Sequence, residues 1–173
     1  MIPEIKNILY ATDLSKNSSY AFLYAVDMAK RHKAKIVILH VVRPVRYMDS
    51  EEIISYRTLE LLDEAKMVEQ KKDLEEIKSN LQMFCEKTEK QVGPPCVELV
   101  SKILVPIGYP VEEILNTADK EGCDTLVLGT HGKGFLKHTF LGSVAEAVLA
   151  RSRKPVLVIP LPSEKTNFDW DKI

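Results

Sequence analysis

Ile36-Val37-Ile38-Leu39-His40-Val41-Val42 is an apolar run, rich in β-branched residues and broken by a single histidine. Such a strand has no polar face to turn toward water. It must be covered on both sides, as a strand is inside a parallel sheet between two layers of helices. Four other segments have strand composition: Asn7-Ile8-Leu9-Tyr10-Ala11-Thr12 before it, then Val97 to Val105, Thr125 to Leu128, and Pro155-Val156-Leu157-Val158-Ile159-Pro160. Between them the apolar spacing is helical. Ala21, Phe22, Ala25, Val26 and Ala29 share one face, and so do Val111, Ile114, Leu115 and Ala118. Strands alternating with helices, joined by right-handed crossovers, predict an α/β fold: a doubly wound five-stranded parallel sheet with helices on both faces, Rossmann-like in architecture.

Local signals set the ends of these elements. Asp13-Leu14-Ser15 supplies turn and capping residues for the first helix, Pro44 stops the second strand, and Pro110 sits near the first position of a later helix. Gly122 is placed to terminate that helix, and the last regular helix runs from Ser143 to about Arg151. From about Ser50 to Gln91 the chain is charged and helical. Leu59, Leu62 and Ala65, then Leu74, Ile77, Leu81, Phe84 and Thr88, form stripes that predict two helices or one bent one, up to Gly93-Pro94-Pro95. This helical insertion spans about residues 47–92, after the second strand. Residues 163–173 read as a short polar tail carrying Phe168 and Trp170, either frayed or docked on the body or a partner.

Charge and cysteine content narrow the function classes. Lys and Arg total 24 against 25 Asp and Glu, a net charge of -1, which leaves no electrostatic footprint for nucleic acid or an anionic membrane. Met1-Ile2-Pro3-Glu4-Ile5-Lys6 lacks the basic and apolar regions of a signal peptide, and no later segment reaches a spanning length, so a cytoplasmic location is expected. Cys85, Cys96 and Cys123 are odd in number and share no metal-ligand spacing; reduced, partly buried thiols are expected.

The candidate chemistry lies near the C-terminal end. The strand ending at Leu128 runs into Gly129-Thr130-His131-Gly132, and nine residues later Gly142-Ser143 opens a helix. A helix start has backbone N–H groups without partners and a partial positive charge, so it accepts phosphate. Glycine lets an anion approach bare backbone, and the Ser143 hydroxyl adds a donor. Glycines alone are also explained by a tight strand-to-loop turn and a close helix contact. The P-loop spacing and the GxGxxG fingerprint are both absent. The motif does fall at the carboxyl edge of the predicted sheet, where doubly wound folds collect ligands.

Three segments together resemble the ATP-binding branch of the universal stress protein family: Ile8-Leu9-Tyr10-Ala11-Thr12-Asp13-Leu14-Ser15, Leu39-His40-Val41, and Gly129-x2-Gly132-x9-Gly142-Ser143. The resemblance covers the chain from about residue 5 to 160, and makes residues 1–162 the nucleotide-binding domain. It implies that Thr12 and Asp13 lie beside the adenosine and that the Val41 backbone meets the adenine edge. Gly129, His131, Gly132 and Lys133 would follow the ribose and phosphates, while Gly142, Ser143 and Val144 present N–H groups to the phosphate chain. It further implies ATP with Mg²⁺ or Mn²⁺ bridging the phosphates, and a homodimer through the last strand, Val156, Leu157, Val158 and Ile159. Asp13 is also explained as a turn residue, His40 as a satisfied strand histidine, and Lys137 and His138 as solvated loop residues. His131 is assigned to positioning rather than catalysis. Two features depart from the family: the long Tyr47 to Gln91 stretch and the continuation beyond Pro160.

The expected function is that of a nucleotide-dependent regulatory module in a stress response, with slow hydrolysis at most and no assigned catalytic residue. Protein partners are unknown. Two alternatives stand beside it. One is a hydrolase or nucleotidyl transferase assisted by His131 or Lys133; related folds that cleave ATP between the α and β phosphates place Ser-Gly-Gly after the first strand, where this chain has Thr12-Asp13-Leu14-Ser15. The other is a dimeric scaffold with incidental nucleotide binding, built on the apolar edge strand Val156 to Ile159.

Overall fold

The computed structural model describes residues 2–43, 56–130 and 141–160. Five strands, β1 (Asn7–Ala11), β2 (Lys35–Leu39), β3 (Val100–Leu104), β4 (Thr125–Gly129) and β5 (Val156–Ile159), form one sheet in the order β3-β2-β1-β4-β5, with every pair parallel. Among the described residues four α-helices alternate with them: α1 (Lys16–His32), α2 (Tyr56–Val92), α3 (Pro110–Lys120) and α4 (Ser143–Arg151). The expected doubly wound α/β fold is the fold observed.

The period-two alternation of each strand divides the core into two layers. Ile8, Tyr10, Ile36, Ile38 and Val127 face one side with Ala21, Phe22, Ala25, Val26 and Ala29 of α1 and with Leu81 and Cys85 of α2. Leu9, Val37, Leu39, Leu126 and Leu128 face the other, against Ile114 and Ala118 of α3 and Ala145 and Val148 of α4. This is why β1, β2 and β4 carry unbroken apolar runs. Among the described residues all three cysteines are buried as free thiols, deeper than the partial burial expected.

Helix ends follow their local chemistry. The Ser15 side chain accepts from the Ser18 amide at 3.2 Å and caps α1. Gly122 takes φ +61° after α3, where its amide bonds Asp119 and the Cys123 amide bonds Ala118; these two bonds close the helix, and the left-handed turn suits a residue without Cβ. Of the two arrangements expected for the insertion, Tyr56–Val92 forms a single helix of 37 residues, about 55 Å long at the usual rise. One boundary differs from expectation. Val97–Leu99 forms a 3₁₀ turn rather than the start of a strand. The reason lies in Glu89, whose Oε2 accepts from the amides of Cys96 and Val97 at 2.7 and 2.8 Å and holds them outside the ladder until Val100 pairs with Ile36.

Candidate functional site

β1 has β2 on one side and β4 on the other, so the chain winds away from β1 in both directions and leaves a crevice beyond its carboxyl end. The turn that leaves β1 is densely bonded. Thr12 donates its amide to Leu39 at 2.9 Å, its Oγ1 lies 2.8 Å from Ser18 Oγ and accepts from the Leu14 amide at 3.1 Å, and Asp13 Oδ1 accepts from the Ser15 amide at 3.1 Å. Beneath it, buried Tyr10 donates its hydroxyl to the Ser18 carbonyl at 2.6 Å, and burial holds that phenol above the usual tyrosine range. Asp13 therefore does serve as a turn residue. A carboxylate has two oxygens with about four acceptor positions, so that role is compatible with binding a ligand.

Across the crevice, the backbone beyond β2 presents an edge. Lys35 and Leu39 bond toward the β1 side, whereas the amides of His40 and Val42 bond Leu104 and Pro106 on the β3 side. By this alternation Val41 directs its N–H and C=O together toward the β1 side, where the chain has already turned away at Thr12. The result is one donor beside one acceptor at a strand end. His40, expected as a satisfied strand histidine, holds its Nδ1 2.8 Å from the Thr12 carbonyl oxygen.

The third wall is the start of α4. Gly129 ends β4 opposite Ile159, the next amide, Thr130, donates to Ile159, and Gly142 is the residue before the helix. The Gly142 amide does not face outward as expected: it donates to the Thr130 carbonyl at 2.7 Å. The first bond within the helix runs from Glu146 to Gly142, and among the described residues no side chain caps the end and no carbonyl a turn earlier meets the N–H groups of Ser143, Val144 and Ala145. His131, Gly132 and Lys133, with Lys137 and His138, lie outside the described residues.

A cavity of about 590 Å³ opens between the starts of α3 and α4. Ser143 and Val144 line it, with Arg43, Tyr109, Val111 and Glu112, none of which the sequence motifs had marked. Strand parity was the available signal for Arg43. It follows Val37, Leu39 and Val41 on the face covered by α3 and α4, and the Val42–Ile107 bridge fixes its backbone. The Glu112 carboxylate is bonded to Arg151 at 2.9 Å, which holds it below the usual glutamate range and offsets its charge. Arg43 makes no ion pair among the described residues. Thr12, Asp13, Val41 and Gly129 stand at the same edge of the sheet without lining this cavity. A second trough, of about 410 Å³ between α2 and β3, includes none of the expected residues.

Among the described residues no three acidic, histidine or cysteine side chains gather as metal ligands, and no helix is long and apolar enough to cross a membrane. The model of the universal stress protein family matches residues 4–160. Universal stress protein MJ0577 of Methanocaldococcus jannaschii is 31% identical over 157 residues, which cover 89% of this chain and 94% of that one. Universal stress protein YxiE of Bacillus subtilis is 31% identical over 153 residues, 88% and 97% of the two chains. The solved structure of MJ0577 superposes with a TM-score of 0.70 at 29% identity, covering 94% of this chain and all of that one. A universal stress protein in complex with cAMP has the same fold at 22% identity, with a TM-score of 0.59 over 91% of this chain and 98% of that one.

Proposed function

The chain belongs to the universal stress protein family, and on that footing we propose that it binds an adenine nucleotide, ATP first, and uses it to bias its conformation or its choice of partner. One observation carries the reading: the outward donor and acceptor of Val41 and the uncapped start of α4 stand at the same crevice of the sheet. In this reading Val41 pairs with the adenine edge, and Asp13, beside Thr12, accepts from the ribose hydroxyls. Ser143 and Val144 donate backbone N–H groups to phosphate oxygens, with the Ser143 hydroxyl beside them. Gly142 contributes its lack of a side chain rather than its amide. Gly129, His131, Gly132 and Lys133 follow the phosphate path.

A bound Mg²⁺ or Mn²⁺ would take its ligands chiefly from the phosphates and water, since the described side chains supply no cluster of their own. The ion would draw the phosphates together and offset their charge. The proposed role in a stress response needs occupancy of the site, not turnover.

The test is a calorimetric titration with ATP and Mg²⁺, run beside Gly132→Val, which puts a branched side chain on the proposed phosphate path. Micromolar binding, about -8 kcal/mol, that is lost in a folded variant supports the site. Absence of binding to the natural protein rejects it. Product analysis in the same samples addresses the enzyme alternative: turnover faster than about one per minute argues for catalysis, against about 1–1000 per second for typical enzymes.

A homodimer through β5 is a second part of this reading. β5 is an edge strand, and the bonds Leu126 to Pro155 and Thr130 to Ile159 place the odd-numbered residues of that segment toward β4. Val156 and Val158 then direct their backbone groups outward, toward a partner strand.

A further inference from the structure

We propose that His40 is a positioning residue: it clamps the strained turn Thr12–Ser15 in the shape that aims Asp13 at the ligand. The identity of the ligand rests on the nucleotide reading above; the clamp is a property of the protein alone.

The turn stores strain. Leu14 has φ +63°, a left-handed conformation that is unfavourable for a leucine. Leu14 is 40% exposed, so packing offsets only part of that cost. Such a conformation persists only where neighbouring bonds over-determine it. Two of those bonds are local, Leu14 N–H to Thr12 Oγ1 and Ser15 N–H to Asp13 Oδ1, and form within any turn of this sequence. The Thr12 amide adds a last rung of the sheet, to Leu39. Among the described residues, a side chain that reaches the turn from a distant part of the chain is that of His40, 28 residues away, with Nδ1 at 2.8 Å from the Thr12 oxygen.

A carbonyl only accepts, so the hydrogen bond requires the proton on Nδ1. The His40 amide is bonded to Leu104 at 3.0 Å, which holds the ring's base against β3 while the ring spans to the end of β1. The oxygen it grips belongs to the peptide joining Thr12 to Asp13. Fixing that plane limits ψ of Thr12 and φ of Asp13, and with them the direction in which the Asp13 side chain leaves the backbone. His40 also adjoins Val41. One imidazole therefore sets the spacing between the backbone edge at Val41 and the carboxylate at Asp13, and keeps the turn arranged before a ligand arrives.

The experiment compares His40→Asn, whose amide nitrogen can occupy the place of Nδ1, with His40→Leu, which has no donor. Hydrogen exchange of the Leu14 and Ser15 amides is measured without ligand, with the Ala25 and Val26 amides of α1 as internal reference. ATP and adenosine are then titrated. His40→Leu is expected to speed exchange in the turn about tenfold relative to α1, and to weaken ATP and adenosine alike by about tenfold, as loss of one well-made hydrogen bond allows. His40→Asn should remain within about threefold of the natural protein in both. Unchanged turn exchange in His40→Leu, or equal defects in the two variants, overturns the clamp. Natural protein that binds neither ATP nor adenosine rejects the nucleotide reading and the aiming of Asp13 with it, an outcome separate from the exchange result.

Discussion

The Gly142 amide and the Thr130 carbonyl meet at 2.7 Å, so the loop between β4 and α4 closes on itself at its base. The bond takes the Gly142 N–H away from the crevice and leaves Ser143 as the first residue of α4 whose N–H meets no carbonyl among the described residues. Gly142 is left at φ -71° and ψ 150°, a conformation that a following proline favours.

Ser143→Pro should therefore leave the fold intact while deleting one N–H and one hydroxyl from the proposed phosphate site, because proline is well tolerated at the first helical position. ATP affinity is expected to fall about tenfold or more, adenosine affinity to stay within about twofold, and the melting temperature to move by about 2 °C or less. Calorimetry with both ligands and a thermal melt check all three. Equal loss for ATP and adenosine would place the phosphates elsewhere.

Val158→Pro removes an outward-facing donor from β5 but none of the ladder to β4, by the same alternation that sets its neighbours inward. Sedimentation of the variant is expected to give half the mass of the natural protein. A natural protein that already sediments as a monomer, or a variant that keeps the dimer mass, argues against pairing through this edge.

Glu89 joins α2 to the Cys96 and Val97 amides, and those two bonds hold its carboxyl below the usual glutamate range. A depressed native pKa stabilises the fold above the unfolded value of about 4.3, and that contribution disappears as pH falls through the native value. Glu89→Gln should melt earlier than the natural protein at pH 7. The difference should narrow below about pH 4 and vanish at lower pH, provided both proteins remain folded there.

The three cysteines are each at most 2% exposed, and burial pushes the Cys85 thiol up to about 12 and those of Cys96 and Cys123 up to about 11. Native protein at pH 8 should react slowly with a thiol reagent, and denaturant should release all 3 cysteines. Absorbance of the released chromophore gives the count. Rapid modification before unfolding would show that the core opens locally.

Phe22 is fully buried, with ring centroids 5.0 Å from Tyr10 and 5.1 Å from Phe84, so it ties α1 to both the sheet and α2. Phe22→Ala should cost about 3–5 kcal/mol in urea-induced unfolding. A loss under about 1 kcal/mol would mean that the aromatic cluster contributes little.

Much of the architecture was legible from short stretches of chain. The uninterrupted run around Val37 required cover on both faces, the spacing of Ala21 to Ala29 set one helical face, and Gly122 marked a left-handed helix end. The 3₁₀ turn at Val97–Leu99 was not legible, because the residues there have strand composition and the carboxylate that overrides it belongs to Glu89. Arg43 and Tyr109 escaped notice for a related reason: neither belongs to a motif, and they share a cavity only once the start of α3 lies beside the start of α4.

Residue order alone determined the number and type of most elements, the two-sided burial of the central strands and the spacing of the glycines, because these depend on preferences expressed over one or two helical turns or a single strand. Assembly of the sheet decided which groups remain available. Asp124 accepts from the amides of Lys6 and Asn7 at 2.7 and 2.8 Å, His40 grips Thr12, and Gly142 is turned onto Thr130. Each of these bonds depends on strand order and register, which bring distant residues within 3 Å and direct successive backbone groups to opposite sides.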